Sequence, residues 1–237
     1  MKAFSHLQTL AVAATVAFCS CTAQAQVKQP RRLADFQVVR AGGGIDVFLT
    51  QGPTARVVVE AAADAQSHVL TEVQGGTLTI GWESGYSWKN LLSKQRKVNV
   101  YVTCPRLTGL TLSGGSDAKS ESTITADEFQ LQASGGSDVQ LTLMAKSLTS
   151  AASGGSDIDL AGRVERQRVE VSGGSDYNAF ALQSATADVR ASGGSDVSVS
   201  VTGELSSSAS GGSEVRYKGA ARLRSSASGG SRARRVE

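Results

Sequence analysis

Over long stretches of the chain, small or apolar side chains occupy every second position. The alternation approaches a glycine pair in Phe129, Leu131, Ala133, in Ala187, Val189, Ala191, and in Leu205, Ser207, Ala209. It leaves one in Val139, Leu141, Leu143, in Ile158, Leu160, and in Val197, Val199, Val201. A period of two places successive side chains on opposite faces of an extended strand. The pattern predicts strands entering and leaving a Gly-Gly corner.

The corners themselves repeat. Ser-Gly-Gly-Ser occurs seven times, from Ser113, Ser134, Ser153, Ser172, Ser192, Ser210 and Ser228, at spacings of 21, 19, 19, 20, 18 and 18 residues. The glycine pairs are Gly114-Gly115, Gly135-Gly136, Gly154-Gly155, Gly173-Gly174, Gly193-Gly194, Gly211-Gly212 and Gly229-Gly230. A period near 20 is the mark of a solenoid. Leucine-rich repeats need helical segments and an Asn ladder, and helix-pair repeats need about 33 residues or more. The expected fold is therefore all-β: a single-stranded parallel β-helix of about 18–21 residues per coil, each coil being strand, corner, strand and return. Adjacent coils would stack about 4.8 Å apart. Ala133, Ala152, Ala191, Ala209 and Ala227 precede corners, where the interior should be narrowest.

Residues 32–112 lack Ser-Gly-Gly-Ser but keep the alternation, in Ile45–Thr50, Arg56–Glu60, Thr77–Ile80 and Val98–Val102. Gly75-Gly76 lies between two such runs and predicts a hairpin. A solenoid needs a cap against end-to-end growth, and irregular first strands supply one. The division expected is residues 1–25 as a signal peptide, 26–112 as N-terminal β cap and first coils, and 113–237 as the repeat β-helix. The last two form one continuous domain over about 33–235.

Composition narrows the setting. The 237 residues carry 24 Lys+Arg against 21 Asp+Glu, a net charge of +3 that does not mark a nucleic-acid binder. The three prolines fit stacked strands that cannot lose a donor. Residues 1–26 have Lys2, an apolar run from Leu10 to Phe18 and then Ala23-Gln24-Ala25, the small-x-small site of an export signal cut after Ala25. The apolar run is about half of a membrane span, and no transmembrane helix is expected after signal removal. The alternative is a lipobox at Phe18-Cys19-Ser20-Cys21, with Cys21 lipidated. Cleavage after Ala25 leaves Cys104 as the one cysteine, so no internal disulfide is expected, and Cys104 reads as a small buried hydrophobe.

The segment Gly43-Gly44-Ile45-Asp46-Val47-Phe48-Leu49-Thr50-Gln51-Gly52 resembles the opening of the head GIN domain of auto-transporter adhesins, a bacterial domain of unknown function common in the Bacteroidetes. The namesake Gly-Ile-Asn is Gly44-Ile45-Asp46 here, so its third residue departs. Val69 to Ile80, the Val-x-Val-x-x-Pro-x-Leu pattern of Val100 to Leu107 and the Ser-Gly-Gly-Ser-Asp series extend the likeness over about residues 33–235. The resemblance implies a parallel β-helix on an exported protein. It brings no catalytic residues.

Candidate chemistry is sparse. His68 is the sole histidine after the signal, and no Walker loop, zinc-ligand spacing or nucleophile elbow occurs. No catalytic residue and no cofactor are assigned. Five corners are followed by Asp117, Asp138, Asp157, Asp176 and Asp196, then Glu214, then Arg232. Unit charges 4.8 Å apart repel by only about 0.9 kcal/mol in water, so an acidic column stands without metal. The structural reading has each Asp accepting hydrogen bonds from Ser hydroxyls and backbone N–H groups. The alternative makes the five aspartates a cation site. Trp82, Tyr86 and Trp88 either stack on sugar rings or cover the cap. Arg222, Arg224, Arg232, Arg234 and Arg235 form a solvated terminal cap or meet anionic lipid headgroups or glycans. The function expected is an exported, non-catalytic interaction module of the cell envelope or surface, its partner a glycan or envelope component. The alternatives are a polysaccharide-acting enzyme and a structural spacer.

Overall fold

The computed structural model describes residues 26–85 and 97–237. The expected signal, its cleavage after Ala25, Cys21, Tyr86 and Trp88 lie outside the described residues. The strands in chain order are β1 (Gln26–Arg31), β2 (Val38–Gly42), β3 (Ile45–Gln51), β4 (Arg56–Ala62), β5 (Val69–Gln74), β6 (Thr77–Trp82), β7 (Val98–Cys104), β8 (Gly109–Ser113) and β9 (Ala118–Ser120), with a short helix α1 (Ala63–Gln66) after β4. There follow β10 (Ile124–Ser134), β11 (Asp138–Ser153), β12 (Asp157–Val171), β13 (Asp176–Ala191), β14 (Asp196–Ala209), β15 (Glu214–Lys218), β16 (Arg222–Ala227) and β17 (Arg232–Arg235).

These strands make a parallel β-solenoid of about 7 turns. Its cross-section has two faces. One face stacks β1, β4, β7, β3 and β9, then the first halves of β11 to β14, then β15 and β17. The other stacks β5, β6, β2, β8 and β10, then the second halves of β11 to β14, then β16. The alternating positions read from the sequence point inward: Val139, Leu141 and Leu143 from one face meet Leu148, Ser150 and Ala152 from the other, all buried. Ala133, Ala152, Ala191 and Ala209 are buried as expected, whereas Ala227 on β16 is exposed.

Four features depart from the sequence reading. First, the return of each coil is not a separate segment, because β11 to β14 each run from one corner to the next as a single bent strand. The second bend has no signature common to every coil, but Gly162 marks it in β12 and Gly219 between β15 and β16. The φ of Gly162 is +113°, and a Cβ there would collide with the Leu143 carbonyl oxygen.

Second, a corner lies where no Ser-Gly-Gly-Ser was found. Ala41 pairs with Leu112, Gly42 with Ser113 and Val47 with Ala118, so Gly42 to Asp46 stacks directly on the Ser113–Asp117 corner. The Gly43 N–H reaches the Ser113 carbonyl at 3.3 Å, and the Ile45 N–H reaches the Ser116 hydroxyl at 3.0 Å.

Third, sequence order and stacking order diverge here. The β2–β3 coil is held between β6–β7 on one side and β8–β9 on the other.

Fourth, not every predicted corner glycine needs to be glycine. Gly173 has φ +80°, and its Cβ would lie 3.2 Å from the Gly154 nitrogen, but Gly174 has ordinary φ and open space.

The N-terminal end is closed by antiparallel strands: β4 on β7, β1 on β4, and the β5–β6 hairpin at Gly75-Gly76. Helix α1 plugs the gap, burying Ala65 and Gln66. The Gln66 side chain donates to the carbonyls of Val27 and Val59, and Arg31 donates to the Gln66 carbonyl at 2.8 Å.

Candidate functional site

The corners carry the most regular chemistry. In six of the seven Ser-Gly-Gly-Ser copies the second serine is buried among the strand ends, as Ser116, Ser137, Ser156, Ser175, Ser195 and Ser213, and Ser231 of the last copy is half-buried. Its hydroxyl donates to the carbonyl of the first serine in the same motif, as Ser137 does to Ser134 at 3.0 Å and Ser156 to Ser153 at 3.0 Å. The same oxygen accepts a backbone N–H from a neighbouring coil, Ser156 from Ser137 and Ser175 from Ser156. The hydroxyl therefore ties one coil to the next. The sequence reading had these hydroxyls bonding the aspartates, and in this they differ.

The aspartates stack in register on the outside. Asp138 pairs with Asp157, Asp157 with Asp176 and Asp176 with Asp196, and Asp196 with Glu214. The Asp138 N–H donates to the Asp117 carboxylate at 3.2 Å. Burial first, and then the neighbouring carboxylates Asp117 and Asp157, push the Asp138 carboxyl above the usual range. Burial and then Asp157 and Asp196 do the same to Asp176. The column has cationic ends. Asp46, at the additional corner, pairs with Lys97 at 3.1 Å. Glu214 accepts from both Arg232 and Arg234 at 2.7 Å, and these bonds hold its carboxyl down to about 2. Among the described residues no group of three or more His, Cys, Asp or Glu side chains is arranged to hold a metal ion.

The remaining candidates fall apart spatially. Trp82 ends β6, and its indole Nε1 donates to the Gly43 carbonyl at 2.8 Å, covering the additional corner. His68 precedes β5 with its Nδ1 3.5 Å from Glu83. Cys104 is buried, and burial raises its thiol to about 11. The arginines named from the sequence cluster at the C-terminal end of the solenoid.

Two features had no sequence signal. A polar chain runs inside the coils: the Tyr177 hydroxyl donates to Gln167 at 3.1 Å, Gln167 Nε2 to Ser184 at 2.8 Å, and the Ser184 hydroxyl to the Ser200 carbonyl at 3.0 Å. Each member finds its partner within the protein, so the chain braces the interior. Outside, an open groove of about 1220 Å³ follows the second bend along several coils. Arg106, Asp127, Lys146, Arg163 and Gln183 line it together with Met144, which is 52% exposed. Its charges oppose one another. Lys146 lies 2.7 Å from Asp127 and holds that carboxyl below its usual range, and Arg163 donates to Gln183 at 3.1 Å.

The chain belongs to a family recognised over most of its length. Residues 35–221 match the family described as "Putative auto-transporter adhesin, head GIN domain". Solved structures share the fold. A putative adhesin from Bacteroides fragilis is 18% identical with a TM-score of 0.76, covering 89% of this chain and 94% of that one. A putative lipid binding protein from Parabacteroides distasonis is 19% identical with a TM-score of 0.72, covering 90% and 97%. A putative adhesin from Parabacteroides merdae is 17% identical with a TM-score of 0.68, again covering 90% and 97%. Among curated proteins no sequence match is found.

Proposed function

We propose that this protein is an exported, non-catalytic interaction module of the cell envelope or surface, which recognises an extended glycan or another envelope polymer along the outside of its solenoid. The observation that carries this reading is repetition in register. Outward positions such as Gln140, Asp159 and Asn178 stand over one another on successive strands, about 4.8 Å apart. A repeating surface presents one set of hydrogen-bonding groups several times, which suits a polymer held by many weak contacts. A reaction centre, by contrast, needs one convergent constellation. The groove at the second bend supports the same reading, because it is long, mixes polar with apolar side chains and is balanced in charge. The adhesin family and the signal-like N-terminus supply the setting.

The test is a glycan array, followed by a turnover screen on the polysaccharides that bind. Binding without release of shorter products is expected, weakened by Gln130→Ala combined with Gln183→Ala in the groove. Cleavage of a bound polysaccharide would replace this reading with an enzymatic one. Absence of any glycan or envelope-polymer binding would leave the structural spacer.

A further inference from the structure

The last described coil of the solenoid leaves three demands unmet among the described residues. The first is backbone pairing. β16 pairs only with β14 and β17 only with β15, so the far edge of each faces no strand among the described residues. The second is apolar cover. Leu223 and Ala233 are half-buried and Ala227 is exposed, whereas their partners one coil below, Leu205, Val215 and Ala209, are buried.

The third is charge. In the coils below, outward carboxylates are repeatedly met by a cation one coil nearer this end: Glu170 by Arg190 at 3.0 Å, Asp196 by Arg216 at 3.4 Å and Glu204 by Arg224 at 2.9 Å. The ladder stops on strands that carry arginines and no acid. Arg232 and Arg234 share the single carboxylate of Glu214. Arg222 and Arg235 have no ion-pair partner among the described residues.

We propose that this end takes up an extended acidic polypeptide segment as an added strand. Its carboxylates, at alternate positions, would face Arg222 and Arg224 on β16 or Arg232 and Arg234 on β17. Small apolar residues between them would cover Leu223 or Ala233. Strand addition draws its affinity from main-chain hydrogen bonds and its specificity from alternate side chains. One occupant of this kind meets all three demands together. A second copy docking tail to tail would set arginines against arginines, a juxtaposition that excludes partners, and one docking head to tail would bring up β1, whose Lys28 and Pro30 oppose pairing. An anionic lipid surface would neutralise the charge but offers no ladder for the strand edges. The inference goes beyond the function proposed above, since it concerns the end of the solenoid and not its faces, and either can fail alone.

The probe is an eight-residue peptide alternating Glu and Val, blocked at both ends and titrated onto the protein. Saturable binding is expected, weakening as salt is added, with new hydrogen-exchange protection confined to Arg222–Arg235. Arg222→Glu with Arg224→Glu, and separately Arg232→Glu with Arg234→Glu, should identify the strand used by a loss of about tenfold or more. The same peptide N-methylated at alternate amides should not bind. That arm stays decisive even if a charge-reversed variant misfolds. Equal binding of the methylated peptide, or of a Lys–Val peptide, would overturn strand addition. So would binding of phosphatidylglycerol vesicles without binding of the Glu–Val peptide, and so would no binding at all.

Discussion

At the N-terminal end, antiparallel β1 and β4 close one face, β5 closes the other, and α1 fills the space between them. At the C-terminal end, β16 and β17 continue the parallel stack and nothing described lies beyond them. The closed end departs from the repeat in every element, since it contains no Ser-Gly-Gly-Ser, reverses strand direction and inserts a helix. Even its outermost strand is protected, as Lys28 and Pro30 on β1 discourage further pairing. The open end keeps the repeat and changes only its charge. A repeat sequence thus extends a solenoid, whereas ending one takes residues that break the repeat.

The largest expected effect comes from truncating one interior side chain at different distances from the two ends. Leu205→Ala, in a fully buried site, should cost about 3 kcal/mol. Val59→Ala, close to the closed end but equally buried, should cost about 2 kcal/mol. Leu223→Ala, one coil above Leu205, should cost less than about 1 kcal/mol because the site is already open. Chemical denaturation of the three variants measures this directly, and equal losses at Leu205 and Leu223 would remove the distinction between the ends. Next in size is Trp82→Ala, expected to cost about 2 kcal/mol by uncovering the Gly43 corner and breaking its 2.8 Å hydrogen bond. Thermal melts would show the loss, and an unchanged melting temperature would free Trp82 for a binding role.

The acidic column was legible as a column, and so was the fold. Seven copies of one motif and a strict period of two leave little freedom once each strand must bury one face. What escaped the reading has identifiable causes. The Gly42–Asp46 corner went unseen because Gly42 and Ile45 stand where the repeat has serines, and because its partner strand begins about 70 residues later in the chain. The true acceptors of the serine hydroxyls are not legible in the sequence, since spacing alone does not say that the second serine points inward. The groove arises from the second bend, which only scattered glycines such as Gly162 and Gly219 mark and no motif repeats in every coil. The Tyr177–Gln167–Ser184 chain joins residues whose proximity is set by stacking, not by sequence distance.

The pH dependence sharpens the comparison by smaller amounts, with opposite signs along one column. Asp138 and Asp176 have raised carboxyl pKa values, so the folded state binds protons more readily than the unfolded chain. Their contribution favours folding in acid and is lost as pH rises through those raised values. Glu214 is held down to about 2, so its contribution is present above the ordinary glutamate value and disappears as pH falls towards 2. Asp138→Asn with Asp176→Asn should therefore raise the melting temperature at neutral pH and flatten its rise on mild acidification. Glu214→Gln should lower it at neutral pH, with the effect shrinking as pH falls through about 2. Reversed signs in thermal melts across that range would contradict the electrostatic picture. The smallest effect concerns metal. With no cluster of metal ligands along the described column, chelator is expected to leave the melting temperature unchanged. A calcium-dependent rise of several degrees, lost in Asp138→Asn with Asp157→Asn, would make the column a cation site.

The contrast between a closed and an open end is tested most directly by native-state hydrogen exchange resolved along the chain. The account predicts that amides of β2, β3 and β7, and of β11 to β13, exchange only through global unfolding. Those of β4 should be nearly as slow because β1 covers them. Amides of β16 and β17 should exchange orders of magnitude faster, through local opening of the last coil. Equal protection at both ends, or faster exchange in β4 than in β16, would contradict the contrast between the closed end and the strands β16 and β17.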